Sequence, residues 1–401
     1  MSAADGEPSP EPRLGGDFPV ERRRRPRRFQ REIGYLGDGH GPLLVVTGGI
    51  HGNEPGGVFA LERVVANLQE RGLVPRGTLL ALGGNLPALE QGERYLEQDL
   101  NRMWTLELLE QAQAADAPSH EQRQLLEIHA RISAAIEAST GPVAFLDLHS
   151  ASAEGSPFAL MGDTLANREL AFAMGLPVIL GLEENVDGTL LSWFGEMGHV
   201  AVGVEGGQHL DENTTRHQEA CVWTALAAVG LLSPEELSWL PEQQRLLRRA
   251  GAGLPQVVAV SHRHGIEPSD RFRMVPGYVN FDRVERGEVL AHDVSGPIPA
   301  DFTGNILLPL YQGRGADGFF LGKPVRKVWL RLSAVLRKTG IDRLLHWLPG
   351  VDRDSERADA LWVDRRIARL RALDLFHLFG FWRLDEDGPK LRVARRRERP
   401  N

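Results

Sequence analysis

The stretch Thr47–Gly57, TGGIHGNEPGG, follows directly on the apolar run Leu43–Thr47, LLVVT. A short aliphatic run closed by two glycines reads as a buried strand entering a turn. That turn carries His51 and Glu54 three residues apart. The same grammar recurs twice downstream. VAFLDL (Val143–Leu148) runs into His149, and VAVGV (Val200–Val204) runs into Glu205, with Gly206 and Gly207 behind it. Open α/β sheets collect their ligand-binding groups in the crevice beyond the carboxyl ends of the strands. Three such ends are therefore expected to converge on one site.

The elements around these runs alternate from Leu43 to about Leu232, which points to an α/β fold with a mixed sheet flanked by helices. Val58, Leu61, Val64, Val65 and Leu68 recur at helical spacing, and Leu125, Leu126, Ile128, Ile132 and Ile136 mark a second helix over His120–Ala138. Thr78–Gly84 and Leu176–Leu182 read as buried strands, and Ala220–Leu232 as a helix. From Gln256 to Gly322 short β-like runs alternate with Gly and Pro turns, so a small β-rich domain is expected. Beyond Pro324 the spacing of Val328, Leu330, Leu332, Val335 and Leu336 predicts a helix, and Ala358–Leu370 a second one. The expected organisation is a polar Arg/Pro-rich tail (1–30), a catalytic domain (31–235), the β-rich domain (252–323) and a helical extension (324–401).

Composition narrows the function classes. Of 401 residues, 42% are hydrophobic and 25% charged, as in ordinary globular chains, and the net charge of −8 argues against general nucleic-acid binding. The run ERRRRPRR (21–28) is read as a solvated tail rather than a nucleic-acid site. No apolar run approaches the ~20 residues of a membrane span, so no membrane partner is expected. One cysteine, Cys221, excludes an internal disulfide and fits a reducing compartment; with no secretory signal pattern, the expected location is the cytoplasm. A homo-oligomer stays open.

Two imidazoles and a carboxylate, His51, Glu54 and His149, are a donor set of catalytic zinc sites, which keep one position for water or substrate. One Zn2+ per chain is expected, serving to lower a water pKa to about 7 and to polarise a carbonyl. The glycines Gly48, Gly49 and Gly52 would let the loop wrap closely. Asp147 either orients His149 or caps the strand end. Glu205, desolvated beside a metal, suits a general base. The block GNLPALEQGERYLEQDLNRMW (Gly84–Trp104) adds two guanidiniums, Arg94 and Arg102, suited to holding a carboxylate, with the amide of Asn101 beside Arg102. Arg94 is also suited to a developing oxyanion, and the alternative is surface arginines paired with Glu90, Glu93, Glu97 or Asp99.

The ordered set GGIHGNEPGG, NLPA…RYLEQDLNR, DLHS and GVEGG resembles the succinylglutamate desuccinylase/aspartoacylase family of zinc carboxypeptidase-like hydrolases. The resemblance implies zinc on His51, Glu54 and His149, and Glu205 as the group that activates water and then protonates the leaving amine. It further implies Arg94 at the scissile carbonyl, Asn101 and Arg102 on the substrate's α-carboxylate, and Tyr311, in PLYQG, lent by the C-terminal domain. One departure stands out. Gly188–Val204 contains no Arg or Lys, where aspartoacylases carry an arginine for the substrate's side-chain carboxylate. An acidic leaving amino acid is therefore not expected. The reading is a zinc-dependent amidohydrolase of small N-acyl amino acids. A carboxypeptidase-type metallopeptidase and a non-catalytic metal-containing binding protein are the alternatives.

Overall fold

The computed structural model describes residues 28–396, except 183–184, 312–314, 365, 368–375 and 377. Residues 21–27 of the arginine run and the tail before them lie outside the described residues, as does the end of the C-terminal basic run.

The aliphatic runs form the middle of a large mixed sheet. Its strands are β1 (Glu32–Gly37), β2 (Leu43–Gly48), β3 (Thr78–Gly83), β4 (Val143–Ala151), β5 (Phe158–Met161), β6 (Val178–Leu180) and β7 (Val200–Gln208). They stand in the order β1-β3-β2-β4-β7-β5-β6, and β3, β2, β4 and β7 run parallel. The middles of these strands are apolar because helices cover both faces, and polar side chains enter toward the carboxyl ends at Thr47, Asp147, His149 and Glu205. Leu43 and Val45 of β2 face one layer with Leu125, Ile128 and Ile132, whereas Leu44 and Val46 face the other with Leu61, Val64 and Leu68. Each side chain so buried contributes roughly 1.5–3 kcal/mol.

The helices are α1 (Gly56–Glu70), α2 (Leu86–Gln91), α3 (Leu106–Ala114), α4 (His120–Ala138), α5 (Leu165–Met174), α6 (Leu190–Glu196), α7 (Glu212–Ala228) and α8 (Leu240–Ala250). Of these, α1 and α4 follow the predicted periodicity, and α7 begins and ends earlier than the predicted Ala220–Leu232. Ser119 and Gln122 close a reciprocal capping box at the start of α4. Cys221 sits fully buried in α7, and burial pushes its thiol above the ordinary range.

The β-rich segment adds to the main sheet. β8 (Val257–Gly265) pairs in parallel with β6. After β9 (Arg273–Met274), β10 (Arg283–Val284), β11 (Val289–Asp293) and β12 (Gly296–Pro299) come β13 (Gly304–Leu307) and β14 (Asp317–Pro324). β14, β13 and β10 continue the sheet beyond β8, giving eleven strands among the described residues, and β12-β11-β9 form a small separate sheet.

The C-terminal extension corrects the sequence reading. The first predicted helix is present as α9 (Lys327–Thr339). Where Ala358–Leu370 predicts a second, residues Ala360–Asp364 are a strand, and residues 365 and 368–370 lie outside the described set. With β15 (Val351–Arg353), β16 (Ala360–Asp364), β17 (Phe381–Asp387) and β18 (Lys390–Arg395), the extension forms an antiparallel sheet in the order β15-β16-β18-β17. Leu361, Val363, Phe381, Leu391 and Val393 gather in a core of its own. Alternating apolar residues joined at Asp387-Gly388, a favoured hairpin dipeptide, carry this structure. Among the described residues no helix is long and apolar enough to cross a membrane.

Candidate metal centre and substrate cavity

The three strand ends meet as the sequence predicts. In the parallel pairing of β4 and β7, His149 lies opposite Glu205, and Gly48 of the adjacent β2 lies opposite Leu148. The turn after β2 then swings His51 and Glu54 over the end of β4. Only Gly49 uses a left-handed conformation (φ +75°). Gly52 is needed for room, since a Cβ there would come within 2.1 Å of the Ala88 carbonyl carbon. The turn is clamped where Gly52 N–H donates to Arg94 O at 3.1 Å.

Donor atoms of His51, Glu54 and His149, all buried, lie within 4.8 Å of one another. Glu54 Oε1 is 2.9 Å from His51 Nδ1, and Oε2 is 3.1 Å from His149 Nδ1. Each imidazole's other nitrogen is held by a carboxylate: His51 Nε2 by Asp99 Oδ1 at 3.1 Å, and His149 Nε2 by Asp147 Oδ2 at 2.7 Å. Both Nδ1 atoms therefore face Glu54, and both rings are oriented from behind, as metal-ligating histidines generally are. Thr47 Oγ1 donates to Asp147 Oδ1 at 2.6 Å, fixing that carboxylate on the neighbouring strand. Of the two readings of Asp147, its contacts match the orienting one. The buried donor set fits a divalent ion of the zinc type.

Charge in the site follows from these contacts. Burial pushes Glu54 up, but His51 and His149 outweigh it and hold the carboxyl well below the usual range. Burial likewise opposes the charged form of His149, yet Asp147 and Glu54 raise it well above its ordinary value. Glu205 behaves in the opposite way: burial, reinforced by Glu54, pushes its carboxyl up to about 8 against the pull of His149 and Arg94. Its Oε2 is buried with no hydrogen-bond partner among the described residues. A replacement Asp147→Asn would break the support of His149 and is expected to weaken zinc affinity by about 10–100-fold. Competition against a chelator measures it.

The block Gly84–Trp104 packs beside this centre. Asn85 caps α2 and Gly92 ends it in a left-handed conformation, which turns the chain so that Arg94 faces the metal loop. Arg94 Nε and Nη2 both donate to Asp99 Oδ2, at 3.2 and 3.0 Å, and Nη1 lies 3.8 Å from Glu54 Oε1. Buried Glu121 of α4 secures the segment, accepting from Asn85 Nδ2 and from the N–H groups of Leu96, Glu97 and Gln98. Asn101 Oδ1 accepts from Leu190 N at 2.9 Å, tying the start of α6 to the site. Arg102 Nη2 donates to Asp317 Oδ2 at 3.1 Å, so a carboxylate of β14 already stands on that guanidinium.

His51, Glu54, His149, Arg94, Asn101, Arg102 and Glu205 all line one cavity of about 310 Å3. Tyr311 does not. It is a correction to the expected site: its hydroxyl donates to Val275 O and Tyr278 O, and its ring borders a shallow neighbouring depression. The sequence offers Asp99 only as an arginine's partner, which it is for Arg94, and not as the support of His51; Glu121 has no metal-site pattern of its own and is missed. The extension's share is missed altogether. Arg357, Trp382, Arg395 and Arg396 stand on the wall of the same cavity. Arginines thus line it from another part of the chain, although Gly188–Val204 provides none; Arg357 Nε and Nη2 donate to Asp359 at 3.1 and 3.0 Å, and the Arg396 guanidinium lies over the Trp382 ring.

A mixed α/β sheet whose parallel strand ends hold a buried His/Glu/His group is the class that fold and site define. Residues 40–229 match the model of the succinylglutamate desuccinylase/aspartoacylase catalytic domain, so just under half of the chain is similar to that domain. A stretch of 65 residues is 43% identical to a succinylglutamate desuccinylase of Pseudomonas paraeruginosa, covering 16% of this chain and only 20% of that protein's length. Two solved structures share the fold at 19% identity. The succinylglutamate desuccinylase/aspartoacylase from Rhodobacter sphaeroides has a TM-score of 0.55 over 74% of this chain and 88% of that one. The succinylglutamate desuccinylase from Vibrio cholerae has a TM-score of 0.51 over 72% and 82%.

Proposed function

We propose that the protein is a zinc-dependent amidohydrolase that cleaves small N-acyl amino acids into a carboxylate and a free amine. The observation that carries this reading is the convergence, in one cavity, of the His51/Glu54/His149 donor set with the buried carboxyl of Glu205, whose Oε2 has no hydrogen-bond partner among the described residues. The names of the family and of the relatives, desuccinylase and aspartoacylase, point to the same class of amide.

His51, Glu54 and His149 would hold the ion, with Asp99 and Asp147 fixing the two rings. When bound, zinc supplies Lewis acidity and a water of lowered pKa. Glu205 takes the proton of the attacking water and returns it to the amine nitrogen as the C–N bond breaks. Arg94, held in place by Asp99, presents its guanidinium to the oxygen on which charge develops. Arg102, with the amide of Asn101, grips the substrate carboxylate, which displaces Asp317 from Nη2. Leu160, Leu191 and Phe320 line the apolar part of the cavity and exclude water from it. The arginines of the extension restore anionic groups to the range of acceptable substrates.

Elemental analysis together with a screen of N-acyl amino acids tests the proposal. About one zinc per chain with release of free amine is the expected result. Turnover of dipeptides or longer peptides without turnover of acyl amino acids would favour the metallopeptidase. Zinc without turnover of either would favour a binding role. The single buried thiol suits the cytoplasm.

A further inference from the structure

The inward side of helix α9 is mixed: Leu330 and Leu336 pack against the hydrophobic cores, and two polar residues are buried between them and beyond. Ser333 and Arg337, one turn apart, are buried. Arg337 Nη2 meets Asp163 Oδ2 at 2.6 Å, Arg168 Nε meets Asp163 Oδ1 at 2.6 Å, and Arg168 Nη2 reaches Ser333 Oγ at 3.1 Å. The helix is thus anchored to the catalytic domain by ionic contacts. The opposite stripe, at positions i, i+4 and i+7, is Val328, Leu332 and Val335, all exposed, with Val328 at 63% and Val335 at 60%. Trp329 flanks the stripe at 51% exposure, and the turn that follows (Ile341–Trp347) exposes Ile341, Leu344 and, at 76%, Trp347.

An amphipathic helix in a globular protein normally turns its apolar face to the core. This one packs Leu330 and Leu336 inward but leaves a second apolar stripe, Val328, Leu332 and Val335 with Trp329, exposed. Lys327, Arg331 and Lys338 flank the stripe on the other side, all exposed, and residues 326–341 contain no Asp or Glu. This local positive charge stands against a chain of net −8. Aliphatic tips and indoles on a convex helix, bordered by Lys and Arg, are the composition that settles into the headgroup region of an anionic bilayer.

We propose that the outward face of α9 and the turn after it dock the protein on an anionic lipid surface. A second copy of the chain fits less well, because an isologous contact through this stripe would bring the Lys327/Arg331/Lys338 flank against its own image. The absence of a spanning segment does not bear on this mode, since an interfacial helix lies in the membrane surface. The inference is independent of the catalytic reading.

The test is co-sedimentation of the full-length protein with phosphatidylcholine vesicles, with or without phosphatidylglycerol, at about 0.1 M salt, where charges are screened over about 10 Å. Binding to the anionic vesicles is expected to exceed binding to the neutral ones by about tenfold or more. The surface double variant Val328→Ser/Val335→Ser should abolish it. Lys327→Glu/Arg331→Glu should reduce it to the neutral-vesicle level, with circular dichroism unchanged for both. Failure to sediment, equal binding to neutral vesicles, or binding unaffected by these substitutions would overturn the proposal. So would a concentration-dependent dimer, seen in size exclusion, that the Ser variants dissociate while no vesicle binding occurs.

Discussion

Replacement of Glu205 by Gln is expected to lower kcat by about 10²–10⁴-fold while leaving the zinc content at the wild-type level. The side chain stands opposite His149 across two parallel strands and contributes no atom to the His51/Glu54/His149 group, so the ion should bind without it. Gln keeps the volume but neither accepts nor returns a proton. A loss of zinc with the loss of turnover would contradict this assignment and make Glu205 part of the ligand set. In the metal-free protein the sign for stability is opposite to that for activity. A carboxyl raised from 4.5 to about 8 on folding keeps a proton that the unfolded chain gives up, so stability falls as pH rises across that window. The Gln variant lacks this penalty, and its metal-free Tm at pH 8 should equal or exceed that of the wild type.

That Glu205 could be found at all from the sequence reflects how a parallel sheet is written. Interior strands buried on both faces have to be apolar through their middles, so a polar residue at the end of VAFLDL or VAVGV marks the strand's carboxyl end. Position in the fold and candidate chemistry are then read from the same few letters. The groups that support the ligands are written differently. Asp99 and Glu121 lie on a turn and in the first turn of a helix, where acidic residues are common for reasons of capping alone. Only the folded chain brings Asp99 to His51 and Glu121 to the N–H groups of 96–98.

The extension misled the reading for another reason. The helical spacing of KVWLRLSAVLRK (Lys327–Lys338) is real, as α9, but the strands of the terminal sheet that follow it are short. FWRLDEDGPKLRVAR has the alternation and the Asp-Gly turn of a hairpin, a period of two that the expectation of a helical extension leaves unused. The cost was functional, because this sheet brings Arg357, Arg395 and Arg396 to the cavity. If an acidic substituent of the substrate is held in this cavity, these arginines are the residues expected to meet it, Arg357 by exchange with Asp359. Replacing Arg357 and Arg395 by Gln should raise KM for an acidic N-acyl amino acid about tenfold or more, and leave kcat and the KM for a neutral analogue little changed. Steady-state kinetics on the two substrates separates these outcomes.

Arg94→Met is expected to cost about 10²–10³-fold in kcat, the range found when one oxyanion donor is removed. The guanidinium commits Nε and Nη2 to Asp99, which points Nη1 along Glu54 toward the cavity. Because Asp99 also holds His51, the arginine acts on the ring through that carboxylate as well as on the substrate. The two effects are separable. Loss of the oxyanion contact lowers kcat with zinc affinity kept, whereas loss of the Asp99 support lowers zinc affinity as well. Lys at this position restores a charge but cannot make two bonds to Asp99 and still reach the cavity. Arg94→Lys should therefore regain little of the lost kcat. If it regained most, charge alone would be sufficient, and the fixed geometry of the Arg94–Asp99–His51 chain would be irrelevant to turnover. If Arg94→Met lost zinc in proportion to its activity, the arginine would be a positioning residue for His51 and the oxyanion would have to be stabilised elsewhere.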